Sequence, residues 1–411
     1  MMTNKGLNNY FLILFSLMPI SIIIGSSVSL INVLLIDLSF LFLLIYLKDF
    51  SFLKNKTIKY LLILYLYLIF NTLISLDAEV GIFRNLGFIR IIILFAAFNY
   101  FFKDNLFSQR LMFAWFLIIS VVVFDVFFEK FNGKNLLGYP ETGENIVSYG
   151  SRLVSFFKDE PIVGGFIYSF FLILMGYLFE KYKKVNIFLI LLTIIFFFSI
   201  FVTGERANTL KALLGVFLFF TFLKKIDLKI KLISILIILI SFTTLIYKSD
   251  YFKLRYVHQI KSHLNVDESY YLHIYRSGLQ VFNNYRLFGV GTKNYRVEAC
   301  TNPNKREEDQ TKHYLCTTHP HQIYLEFLSE HGLVGTAILL FLFYKLIFSK
   351  IVFVIKHGNY IQLGSLLYLI TIFMPLIPSG SFFNDYSLTL FCINLALMYS
   401  SNSNLNIFIK N

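Results

Sequence analysis

The sequence predicts an all-α polytopic membrane protein with about twelve membrane-crossing helices and one large extramembrane loop domain. Three observations carry that expectation. The 411 residues are 57% hydrophobic and 18% aromatic, with a mean hydropathy of +0.67, a balance that a soluble domain cannot cover with polar surface. Apolar runs long enough to cross a hydrocarbon core of about 30 Å, roughly 20 helical residues each, recur about twelve times. The basic residues crowd into alternate connections between those runs.

The runs fall at 9–26, 29–47, 58–76, 83–102 and 110–128, which make an N-terminal block over residues 1–128. An outer loop follows at 129–161. The runs 162–180, 185–203, 207–223 and 230–247 make a second block, 162–247, and a large loop occupies 248–322. The runs 325–346, 360–378 and 382–400 close the chain as a third block, 323–411. Backbone groups find no water partner in lipid, so each run is expected to be a helix despite its richness in Ile, Phe and Val. Lys5 precedes the first run without a small-residue cleavage pattern, which reads as a first membrane helix rather than a removable signal.

Orientation follows from the basic connections. Lys48, Lys54, Lys56 and Lys59 form the first, Lys103 and Arg110 the second, and Lys181, Lys183 and Lys184 the third. Lys224, Lys225, Lys229 and Lys231 form the fourth, and Lys345, Lys350 and Lys356 the fifth. The positive-inside rule assigns all five to the cytoplasm, together with both termini of a multi-pass membrane protein. The turn at Asp77 and Glu79, the stretch 129–160, the turn 203–208 and the loop 248–322 then face outward. Asp125 and Arg90 are charges near the ends of apolar runs.

Several functions are excluded or left open. The net charge of +13 is scattered through loops rather than gathered on one module, which argues against a nucleic-acid partner. None of the three cysteines is in a CxxC pair. Cys300 and Cys316 share the large loop, and their spacing leaves a disulfide open, while Cys392 reads as a small core residue. His313, His319, His321 and His331 are close in sequence but lack an HExxH or comparable pattern, so neither a metal nor another cofactor is expected. A charged patch at 305–309 lies in the same loop, and no internal repeat is visible.

Three polar features collect on the predicted outer face. Thr203, Gly204, Glu205, Arg206, Ala207 and Asn208 form a turn between two apolar helices. Arg206 there is either an interfacial arginine reaching lipid headgroups or a fork for a diphosphate. The second feature runs from Arg276 to Gly289, Val290, Gly291, Lys293 and Asn294. Tyr275, Leu279 and Phe282 suggest an amphipathic helix ahead of a tight turn at the glycines, and Gly-Val-Gly alone lacks the strand and third glycine of a dinucleotide loop. The third holds His319, Pro320, His321, Gln322, Gly332 and Gly335. Pro320 is expected to open a helix with His321 in its first turn, where the macrodipole keeps the imidazole neutral, as a general base requires; a purely structural interfacial histidine is the alternative reading. Gly332 and Gly335 are expected near the start of a membrane helix, allowing close contact.

This third segment resembles the signature of the O-antigen ligase family: a His followed by Asn, Ser or Gln, nine residues, then Gly-x-x-Gly. Here it stands as His321, Gln322, Gly332 and Gly335. Thr203, Gly204 and Arg206 are similar to the family's Thr-Gly-x-Arg turn, and Arg276 precedes Gly289 and Gly291 as the family's second arginine does. Arg152 opens a stretch similar to Arg-x-x-Gly-x-Phe, with Ser155 where glycine is usual. The resemblance covers roughly residues 150–400 and implies an inverting, metal-independent transferase of the membrane-embedded GT-C-like type. Its donor would be a glycan on undecaprenyl diphosphate, and its acceptor a sugar hydroxyl of lipid A core, as in a ligase. The alternative is a second carrier-linked glycan, as in a polymerase. Arg206 and Arg276 would hold the diphosphate, with Arg152, Gln322 and Lys293 as further substrate contacts, and His321 would take the acceptor's proton. The aromatics at 196–201 read as lipid-facing packing, or as a groove for the prenyl tail. A non-catalytic transporter of lipid-linked glycans is the competing class, although its buried charges are usually found near the midplane of repeated halves.

Overall fold

A computed structural model describes residues 5–141, 151–182, 187–224, 227–264, 269–301 and 315–409, and no strand occurs among them. His313 and the patch at 305–309 lie outside the described residues. Eight helices there are long and apolar enough to cross a membrane. They are α1 (Lys5–Ile24), α2 (Ser26–Leu47), α3 (Lys56–Leu73), α4 (Ala78–Phe101), α5 (Asn105–Asn132), α6 (Val163–Lys181), α9 (Leu228–Lys248) and the span Ile323–His357, whose first part is α12 (Ile323–Leu346). The other four expected crossings carry shorter helices: α7 (Ile187–Val202), α8 (Arg206–Phe222), α13 (Tyr360–Ile372) and α14 (Asp385–Ser400). In the large loop, short helical turns fill 250–264, followed by α10 (Tyr270–Asn284) and α11 (Tyr295–Thr301). Cys300 and Cys316 are joined in a disulfide that closes this loop onto the residues ahead of α12.

Packing is closest between α6 and α13. A Cβ on Gly364 would sit 2.1 Å from the Leu172 carbonyl oxygen, and one on Gly176 would sit 2.2 Å from that of Tyr360, so only glycine allows this approach. The ends of the bundle that the basic connections mark as inner are tied at one level. Asn359 Nδ2 donates to the Ser401 carbonyl (2.6 Å), Tyr399 OH to that of Leu346 (2.8 Å), and Lys224 Nζ to that of Lys356 (2.8 Å). With 13 and 16 residues, α13 and α14 rise only about 20 and 24 Å, against a core of about 30 Å. At the opposite end Tyr324 OH donates to the Phe373 carbonyl at 2.6 Å, so the connection 373–384 meets the start of α12 where α13 ends.

Three expectations change. The buried stripe of α10 is Ile274, Ser277, Gly278 and Val281, whereas Leu279 is 43% exposed. The helix is rotated because Gly278 receives Pro320, whose Cβ would be 3.0 Å from a Cβ there. Within 196–201, Phe196, Phe197 and Phe201 are buried rather than lipid-facing, with Phe201 stacked on Phe252 at 4.4 Å. His321 is not in a helical first turn. α12 begins at Ile323, capped by Gln322, and His321 precedes the cap in a left-handed backbone (φ +52).

Candidate active site

The turn after α7 gathers three arginines. Gly204 has φ +77, and a side chain there would meet Tyr251 OH at 2.6 Å, Arg255 Nε at 3.3 Å and Arg152 Cγ at 3.6 Å. Arg152 and Arg255 therefore close over the backbone beside Arg206, and each guanidinium acts electrostatically on the others. Arg255 Nη2 also donates to the Gly204 carbonyl at 2.5 Å, and Nη1 to Gln259 Oε1 at 3.0 Å. The buried Glu205 carboxylate accepts from Gly164 N–H (2.6 Å), Gly165 N–H (3.1 Å) and Asn208 Nδ2 (2.6 Å), fastening the turn to the N-terminus of α6. Burial pushes this carboxyl above its usual range, opposed by those hydrogen bonds and by Arg152.

Arg255 was not singled out in the sequence, where it is one of several scattered basic residues. Its signal is the aromatic spacing around it. Phe252 and Tyr256, four apart, pack on Phe201 at 4.4 and 4.9 Å, which turns the arginine between them toward Gly204. Ser155, in place of the pattern's glycine, has φ +49, a conformation that glycine adopts without strain. Here it is held by its Oγ donating to Asp125 Oδ2 (2.5 Å) and its N–H to Glu129 Oε2 (2.6 Å). Asp125 thus braces the segment that carries Arg152.

Arg206 lies within electrostatic reach of Tyr271, whose ring stands edge-on to His321 at 6.3 Å. The His321 ring packs on His319 at 4.0 Å. Burial lowers the His321 pKa, and a hydrogen bond to the Ser379 backbone partly offsets this. His319 is pushed down to about 4 by burial, with His321 and Arg296 adding to the shift. Both imidazoles are thus neutral at pH 7, and the 373–384 connection pins His321 through Ser379 N–H to its carbonyl at 2.9 Å. His331, by contrast, is buried in α12 against Tyr67 OH (3.1 Å).

The remaining sequence candidates are placed elsewhere. Arg276 is exposed on α10, nearly opposite the buried stripe. The Gln322 side chain is buried, with its oxygen accepting from Leu325 N–H at 2.8 Å as the cap of α12. Lys293 (φ +63) is half-buried and joins Arg84, Arg296 and Asp385 rather than Arg206. Its pKa is lowered first by burial and then by the two arginines. Arg90 pairs with Asp385 at the start of α14, as does Arg84 at 3.0 Å.

The four motif glycines build a clamp. Gly332 (φ +64, ψ −169) breaks α12 rather than lying near its start. The segment Arg286 to Gly291 bonds both sides of that break: Leu333 N–H to the Arg286 carbonyl (2.8 Å), Val334 N–H to that of Leu287 (3.1 Å), Val290 N–H to that of Ser329 (3.0 Å) and Gly291 N–H to that of Glu330 (2.8 Å). Cβ atoms on Gly289 and Gly332 would fall 2.4 Å from the opposing backbone, and one on Gly335 would fall 1.8 Å from Tyr67 OH. The glycines let two backbones share the hydrogen bonds that the break exposes. Beside the clamp, an apolar groove of about 690 Å³ runs between α3 and α12, lined by Tyr60, Leu66, Phe70, Ile338 and Phe341 among others.

Residues 190–340 match the sequence profile of the O-antigen ligase family. The matched segment runs from α7 into α12. It includes Arg206, Arg255, Arg276, Lys293, His321, Gly332 and Gly335, and it leaves Arg152 and Arg84 outside. No curated protein matches the chain.

Proposed function

With the O-antigen ligase segment at residues 190–340 as the premise, we propose that this chain is a membrane-embedded transferase. It moves a glycan from undecaprenyl diphosphate to a sugar hydroxyl on the periplasmic side of the bacterial inner membrane. The observation that carries this reading is the pairing, through Tyr271, of a three-arginine cluster with a neutral histidine. Arg152, Arg206 and Arg255 hold the diphosphate. Their fixed charge stabilises the negative charge that grows on the leaving phosphate oxygen. The acceptor oxygen forms its bond to the anomeric carbon as the bond to the diphosphate oxygen breaks, with inversion and without a metal. His321 takes the hydroxyl proton, and the carrier leaves as undecaprenyl diphosphate. In this scheme Arg255 fills the part that the family pattern gave to Arg276. Arg276, on the solvent side of α10, is left to meet the glycan.

Ligation to lipid A core is the preferred form, on the histidine signature, with polymerisation the alternative. The test is transfer by the purified chain in detergent from a carrier-linked glycan to lipid A core or to a second carrier-linked glycan, comparing wild type with His321→Ala. Product on lipid A core that disappears in the variant establishes ligation. Longer carrier-linked chains make the protein a polymerase. Transfer to neither acceptor by a folded wild type returns the question to the transporter reading.

A further inference from the structure

We infer that a second phosphate site, built by Lys293, Arg296 and Arg84, holds the acceptor on the opposite side of the histidine pair from the donor. The inference rests on the transferase reading and adds the chemistry of the acceptor. The groups follow one another in space. From Arg206 electrostatic contact passes to Tyr271, ring contact to His321 and then His319, and electrostatic contact again to Arg296, Lys293 and Arg84. The histidine pair is thus linked to one group of cations through Tyr271 and to the other through Arg296.

The second group is rich in positive charge. The oxygens of Asp385 are taken by Arg84 and Arg90, while Lys293 lies within electrostatic reach of Arg84, Arg296 and the same carboxylate. The next acid, Glu330, is buried and accepts the backbone N–H groups of Lys293 and Tyr295, which fixes the loop beneath. Lys293 and Arg296 make no ion pair among the described residues. Arg84 Nη1 is buried without a hydrogen-bond partner there. Two guanidinium groups and an ammonium within electrostatic reach of one another suit a phosphate, whose oxygens accept several charge-assisted hydrogen bonds at once. Lys293 is held in place by a left-handed backbone (φ +63) and by Asn294, which exchanges hydrogen bonds with Asp77 (2.8 and 2.9 Å).

The surroundings point to a phosphate carried on a lipid. α3 lines the apolar groove as far as Phe70, which meets Phe288 at 6.1 Å. Just past its end, Leu76 N–H bonds Val290 and Asp77 bonds Asn294, on either side of Lys293. The groove therefore leads to the cation cluster, and the hydrocarbon chain of the phosphate-bearing acceptor lies along it.

The test is equilibrium binding to the full chain purified in a non-ionic detergent. The probes are radiolabelled lipid A with its phosphates, the same lipid A with its phosphates removed, and undecaprenyl diphosphate. The double variant Lys293→Gln/Arg296→Gln is compared with Arg206→Gln and wild type, each with an unchanged melting temperature. If the acceptor phosphate belongs to lipid A, the double variant binds the phosphorylated probe about tenfold or more weaker, and the dephosphorylated probe no differently from wild type. If it belongs to a second carrier, undecaprenyl diphosphate fills two sites per wild-type chain and one in the double variant. Wild-type affinity and stoichiometry for every probe in the double variant overturn the inference. When Arg206→Gln still weakens undecaprenyl diphosphate binding in that case, the transferase reading stands. When Arg206→Gln has no effect either, both fall.

Discussion

His321 has to be neutral to accept a proton, and its burial lowers the pKa from the usual 6.5. A base with a lowered pKa is already deprotonated at neutral pH, so transfer is expected to be full at pH 7 and to decline only below about 6.5. A profile of kcat/KM against pH checks this, and a decline that begins above that value contradicts it. His321→Gln keeps a similar size and removes the base, with an expected loss of about 10²- to 10⁴-fold in kcat. Arg206→Lys keeps the charge but loses the two-pronged fork, so donor affinity should fall about tenfold. Arg255 and Arg276 separate the geometry from the family pattern. Arg255→Gln is expected to weaken undecaprenyl diphosphate binding more than Arg276→Gln does, since Arg255 closes over Gly204 and Arg276 faces solvent. The reverse order would return the diphosphate to Arg276. Of these residues, Arg206 and His321 were legible because each sits in a motif. Arg255 was not, because its signal, the spacing of Phe252 and Tyr256 around it, gains meaning only once both rings pack on Phe201.

The broken helix α12 shows what a motif glycine does structurally. Gly332→Ala places a side chain in a left-handed conformation, costing about 1–3 kcal/mol, and also drives it into the Leu287 backbone. A lower melting temperature is expected, with lost activity because the clamp holds the chain between Lys293 and His321. An unchanged melting temperature would show that the break is dispensable. The disulfide between Cys300 and Cys316, 16 residues apart, closes a loop whose cross-link stabilises by about 3 kcal/mol in the chain-entropy picture. Reduction is therefore expected to loosen α10 and α11 while leaving the membrane helices folded, as hydrogen exchange would resolve. At this scale the sequence indicated that α10 exists, from its periodicity. It did not indicate which face α10 buries, because that depends on where Pro320 docks.

Across the whole molecule, the proposed orientation is testable by labelling. Thr318→Cys lies in the outer connection and Ser349→Cys at the inner end of the α12 span, and both positions are exposed. A membrane-impermeant maleimide applied to spheroplasts should label the first and spare the second. The opposite pattern would invert the topology and move the site to the cytoplasmic face.

Composition and periodicity by themselves determined that this chain is helical, that it is built to sit in lipid, and roughly where its helices run. These are local properties, set by transfer of apolar side chains and by the need of each backbone group for a partner within its own helix. The motif residues Arg206, His321, Gly332 and Gly335 were equally visible, because their meaning lies in spacing along the chain. Only the tertiary structure decided which charges meet. Arg152, Arg206 and Arg255 come from three separate connections, and Arg84 and Lys293 are more than two hundred residues apart. The field at a point in the site sums over groups brought near by packing, and packing is settled by contacts such as Gly176 with Tyr360 and Gly278 with Pro320, whose partners the sequence does not name.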